Sequence, residues 1–153
     1  MHVIVMCEPG RRGAVAIDQA AALTRRHGAR LTLAVLLDLP AARRSGCLSW
    51  TAWRDLMVAE AGDELTRIAA RIGPETGRAV LVEPATALDR LEALECDLLI
   101  LPARARPHRF TRDPYASLRD AAGRASFPVA DSGHRSGSRP TEARLPALSR
   151  RDH

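Results

Sequence analysis

The chain has 153 residues, 46% of them hydrophobic, which suits one domain with its own core and excludes a chain disordered throughout. No apolar run approaches the ~20 residues of a membrane span, no secretory-type leader opens the sequence, and Cys7, Cys47 and Cys96 are too scattered for a disulfide framework or zinc ribbon. All 23 basic residues are arginine, and residues 1–103 carry 12 of them against 13 acids while residues 104–153 carry 11 against 5. A soluble, cytoplasmic protein is expected, with its basic excess in the last third.

The apolar pattern alternates between two periods. His2-Val3-Ile4-Val5-Met6-Cys7 is a nearly continuous apolar run, as in a strand buried on both faces. Glu8 to Gly13 breaks it. Ala14 to His27 predicts a helix with Ala14, Ile17, Ala21 and Leu23-Thr24 near one stripe, stopped by Gly28. Arg30 to Leu37 predicts a second strand, so a βαβ unit with parallel strands and a right-handed crossover occupies residues 2–37.

A loop from Asp38 to Cys47 leads to a long helix whose apolar residues step by three and four from Trp53 to Ile72. Trp50 and Trp53, one turn apart, read as core at its start. Arg78 to Val82 is a third strand, and Ala85 to Glu95 a short helix opened by Pro84 with Leu88, Leu91 and Leu94 inward. Asp97 to Leu101 is the fourth strand, stopped by Pro102. After a polar, basic loop, Tyr115 to Ala125 reads as a last helix and Phe127 to Ala130 as a fifth strand. From Asp131 onward Ser, Gly, Arg and Pro dominate, and disorder is expected. The pattern is one doubly wound, Rossmann-like α/β domain over residues 1–130, with a basic tail over 131–153.

In this succession the sequence resembles the universal stress protein family. The likeness is carried by Val3–Cys7, Gly28-Ala29-Arg30-Leu31-Thr32-Leu33, Arg67-Ile68-Ala69-Ala70-Arg71 and Val82-Glu83-Pro84-Ala85-Thr86-Ala87-Leu88. Glu95-Cys96-Asp97-Leu98-Leu99-Ile100-Leu101 and Phe127-Pro128-Val129 continue it. The resemblance implies a five-stranded parallel sheet of order 3-2-1-4-5 with helices on both faces, as in adenine nucleotide alpha hydrolase-like domains. It further implies a homodimer, a role in stress response, and ATP bound at the carboxyl ends of the strands. Carried over residue by residue, the nucleotide site falls on Glu8, Pro9, Gly10, Val35, Pro102, Arg104, Ala116 and Ser117.

The carried-over site departs from the family in its loop. Glu8 stands where the family has Asp. Pro102 and Ala105 replace the first two glycines of the phosphate loop, and Ala116 the glycine before the final hydroxyl at Ser117. Proline lacks an N–H and fixes φ, so this loop is not expected to wrap a triphosphate in main-chain amides. Arg104, Arg106, Arg109 and Arg112, with His108, offer side chains to an anion instead.

No catalytic constellation accompanies the fold. The histidines form no spaced metal pair, and neither a nucleophile elbow nor a Walker loop is present. Cys7 beside Glu8 reads as a structural thiol. Three readings follow: a non-catalytic regulatory or interaction module with ATP binding weakened or lost; a nucleotide-binding protein using its arginine loop; and a nucleic-acid-associated protein using its tail. The tail has no aromatic stacking platform, which disfavours the last. The first is the expectation, with no certain cofactor, ATP as the candidate ligand, and no membrane association.

Overall fold

The opening run forms β1 (His2–Met6), and all five residues are buried. In the computed structural model, which describes residues 1–39, 49–104 and 113–132, the chain continues through α1 (Arg11–His27), β2 (Arg30–Leu36), α2 (Trp50–Ile72) and β3 (Gly77–Leu81). It then passes through α3 (Ala87–Ala93), β4 (Leu98–Leu101), α4 (Ala116–Ala121) and β5 (Val129–Asp131). The strands form one parallel sheet in the order β3-β2-β1-β4-β5. Order and direction match the sequence expectation.

Side-chain alternation along β1 separates two cores. Val3, Val5, Leu33 and Ile100 pack with Ala16, Ala20, Leu65 and Ala69 of α1 and α2. Ile4, Met6, Leu99 and Leu101 pack on the opposite face with Leu91 of α3, Leu118 of α4 and Phe127. Each fully buried Leu or Ile contributes about 1.5–3 kcal/mol of hydrophobic stabilisation. Because β1 lies between β2 and β4, the chain leaves it in one direction and returns in the other. The carboxyl ends of β1 and β4 therefore flank the topological switch point where open α/β sheets take ligands.

Several boundaries move. α1 begins three residues before Ala14, and its contact stripe is Gly13, Ala16, Ala20, Ala21 and Thr24, with Ala14 exposed and Ile17 and Leu23 at the margins. The helix lies so close to the sheet that small residues take the contact face and bulkier ones flank it. A Cβ on Gly13 would stand 1.9 Å from the carbonyl oxygen of Glu8. Gly28 ends the helix in the left-handed conformation, φ 59°, with its N–H donating to Thr24 O, as predicted.

Ser49 caps α2 by accepting the Ala52 N–H at 3.2 Å. Trp50 is 39% exposed and Trp53 partly so, their ring centroids 5.3 Å apart. They stack on each other and not in the core, because the first turns of α2 bury no residue; its buried residues are Leu65 and Ala69. α3 is shorter than expected at both ends. Pro84 to Thr86 form a turn, Glu95 takes φ 56°, and Leu94 faces solvent while Leu91 is fully buried. α4 also ends early, at Ala121, and a tight turn carries the chain through Ala125. β5 starts at Val129 because Pro128 has no N–H to give and Phe127 turns into the core. Asp131, expected in the tail, closes that strand, and Ser132 beyond it is buried. Ala105, Arg106, His108, Arg109, Arg112 and the tail from residue 133 lie outside the described residues.

Candidate functional site at the carboxyl edge of the sheet

The residues after β1, β4 and β5 converge at one crest. Cys7 extends β1 by donating its N–H to Ala34 O at 2.7 Å, and Ser132 extends β5 by donating to Leu101 O at 2.8 Å. Between them lies Pro102–Arg104. The polar main-chain atoms of Pro102 and Ala103 are already engaged. The Ala103 N–H donates to Ser132 Oγ at 3.0 Å, Arg12 Nη1 donates to Ala103 O at 2.9 Å, and Arg119 Nη2 donates to Pro102 O at 2.5 Å. Pro102 itself is fully buried and has no N–H. The Ala116 N–H, further along, donates to Asp113 O at 3.2 Å.

Arg119 organises the crest. Its side chain is 6% exposed. Nε donates to Asp131 Oδ1 at 2.8 Å, Nη1 donates to Asp113 Oδ2, and the guanidinium carbon lies 5.9 Å from the Tyr115 ring centroid. Asp113 Oδ1 also accepts the Tyr115 N–H at 3.0 Å, fixing the approach to α4. Tyr115 is buried and its hydroxyl points back at Cys7 O, 3.5 Å away. Three arginines (Arg12, Arg104, Arg119) and three carboxylates (Glu8, Asp113, Asp131) thus form ion pairs about one short segment.

Glu8 keeps its expected place at the end of β1 but turns inward. Its side chain is 12% exposed, and Oε1 sits 2.9 Å from Arg12 Nη2 in an ion pair that lacks hydrogen-bond alignment. Burial raises the Glu8 pKa above 4.5 and outweighs the opposing pull of Arg12 and Arg119; Asp113 adds to the rise. Burial likewise pushes the Cys7 thiol up to about 12 and raises the Tyr115 phenol, with Glu8 adding to the latter. Cys7 is therefore protonated at neutral pH, for a stronger reason than its acidic neighbour: it is out of water.

The other candidates scatter. Pro9 and Gly10 join Glu8 on the wall of a cleft of about 390 Å³ between α1 and α2, whose apolar lining is Ile17, Ile68 and Ile72. Val35 pairs with Val80 inside the sheet and packs at the edge of the α1/α2 core. Ser117 is exposed on α4, Ala116 half-buried. Arg104 is exposed and 3.9 Å from Asp131 Oδ2. Sequence reasoning missed Arg12, Asp113, Arg119, Asp131 and Ser132. Asp113-Pro114-Tyr115 carried a turn signal, but Arg119 looked like any arginine in an arginine-rich chain.

Pro102 and Ala103 do not fit main-chain capture of a triphosphate, since Pro102 has no N–H and the Ala103 N–H is taken by Ser132 Oγ. No group of three or more His, Cys, Asp or Glu among the described residues could hold a metal ion. No described helix is long and apolar enough to cross a membrane.

No protein-family model and no curated protein matches the sequence. Solved structures do match the fold. Universal stress protein UspA from Lactobacillus plantarum is 18% identical, with 86% of this chain and 97% of that one covered at a TM-score of 0.66. A universal stress protein family member from Burkholderia pseudomallei is 13% identical, covering 85% and 93%, TM-score 0.61. The universal stress protein from Archaeoglobus fulgidus in complex with dAMP is 20% identical, covering 86% and 96%, TM-score 0.55. With a five-stranded parallel sheet in the order β3-β2-β1-β4-β5 and matches spanning most of both chains, this chain has the universal stress protein fold, a Rossmann-like α/β domain.

Proposed function

We propose that this protein is a universal stress protein-like, non-catalytic regulatory or interaction module in which ATP binding at the crest is weakened or lost. The observation that carries the reading is the engagement of Pro102 and Ala103 by Arg119, Arg12 and Ser132. In a glycine loop the N–H groups at these positions would be free to meet phosphate. Pro102 has none, that of Ala103 is taken by Ser132, and the two carbonyls are acceptors already bonded to arginines. Here they hold the protein together. The dAMP complex of the Archaeoglobus protein makes an adenylate the ligand to test. The raised pKa values of Cys7 and Tyr115 favour a non-catalytic crest, since neither is poised as a nucleophile or base.

The chain purified from cells and denatured should release no stoichiometric nucleotide by mass spectrometry, and ATP titration should show no binding below millimolar. Stoichiometric adenylate would overturn the reading. A homodimer belongs to it as well: Trp50 and Leu56, exposed on α2, are apolar surface that association would cover. Sedimentation equilibrium checks this, and a monomer at all concentrations would remove that part.

A further inference from the structure

We infer that Asp113 and Asp131 are built-in occupants of an arginine oxyanion site centred on Arg119, and that they exclude phosphate-class ligands until their charge is removed. The inference rests on the reading above, for which it supplies a cause. The layering is that of a receptor cation under a bound anion. Arg119 is the deep group at 6% exposure, while Asp113 at 29% and Asp131 at 34% lie between it and solvent. The two carboxylates reach the guanidinium from separate segments, one before α4 and one at the end of β5, and use different edges of its planar fork.

That fork matches phosphate oxygens as well as it matches carboxylates. Arg104, 70% exposed and 3.9 Å from Asp131 Oδ2, is a second cation at the same mouth. A phosphate entering here would meet two arginines, but two resident negative charges stand in its place and repel it. The third fork position, Nη2 on Pro102 O, anchors the guanidinium so that releasing the carboxylates would leave the cation in position. Alanine at 113 and 131 removes both the charge and the oxygens that fill the fork, leaving Nε and Nη1 of Arg119 without their carboxylate partners while Nη2 stays on Pro102 O.

The test is binding of inorganic pyrophosphate and of AMP, by equilibrium dialysis at low salt, to the full chain and to its Asp113→Ala/Asp131→Ala variant. Wild type should bind neither below millimolar. The double variant should bind pyrophosphate about tenfold tighter or more, with affinity falling as salt rises, and should lose the gain when Arg119→Gln is added. A gain for AMP and none for pyrophosphate would overturn the phosphate site in favour of a nucleoside subsite. A folded double variant that binds no better than wild type overturns the inference. If the double variant fails to fold, Asp131→Ala alone decides by the same comparison. Wild type that already binds AMP tightly while the variants gain nothing overturns both readings; weak wild type with no gain overturns this one alone.

Discussion

Gly13 lies against the backbone of Glu8 so closely that any β-carbon would stand 1.9 Å from the Glu8 carbonyl oxygen and 2.9 Å from its carbon. The first turn of α1 can tuck under the end of β1 only because that position is glycine, and this contact sets where the Glu8 side chain enters the crest. Gly13→Ala should therefore destabilise the protein. The clash is with main chain, which cannot rotate away, and overpacking of this kind costs about 1–3 kcal/mol. The helix propensity gained by alanine, up to about 1 kcal/mol, is smaller. Urea denaturation measures the difference, and unchanged or increased stability would contradict the close approach.

Glu8 should make stability fall as pH rises. Its folded pKa lies above 4.5 because burial dominates, so the folded state binds a proton more tightly than the unfolded state does. The stabilising contribution is full below about pH 4.5 and is lost as pH climbs through the raised folded value. Glu8→Gln removes the titration. The variant should melt higher than wild type at pH 7, and the gap should narrow toward pH 4. A variant less stable at pH 7 would show that the Arg12 ion pair outweighs desolvation.

Two thiols should be inert in the native protein. Burial pushes Cys7 up to about 12 and Cys96 to about 11, and both are buried side chains. Alkylation at pH 8 followed by peptide mapping should leave both unlabelled in the folded chain and label both in urea. Rapid labelling of either in the native state would mean that its strand end opens readily.

Leu91 and Trp50 invert the usual expectation from size. Leu91 is fully buried between α3 and the sheet, whereas Trp50 is 39% exposed at the start of α2. Leu91→Ala should cost about 2–5 kcal/mol. Trp50→Ala in the monomer should change stability by no more than about 0.5 kcal/mol plus its partial contact with Trp53. Thermal melts of both variants rank them. A Trp50 variant as damaged as the Leu91 variant, at a concentration where the chain is monomeric, would place the indole in a core.

The strands were legible because their information is local. A continuous apolar run bounded by Gly or Pro states that a strand is buried on both faces, and β1 and β4 fell within a residue or two of where their runs predicted. The helices were legible in existence but less so in extent. Leu94 and Ala14 matched the apolar period yet face solvent, since periodicity says which residues could face inward and not how far the sheet extends to meet them.

The crest is different in kind. The family resemblance implied the strand order, and with it the switch point, and put Pro102 where the family has a glycine. Which side chains would fill the resulting space was decided by three-dimensional folding. Arg119 finds Asp131 twelve residues later and Asp113 six residues earlier, and Ala103 finds Ser132 across twenty-nine. Parallel pairing of β4 with β5 sets those meetings, through crossovers whose geometry no short spacing encodes. Burial and periodicity are properties of a segment; an ion-pair network belongs to the places where segments end together.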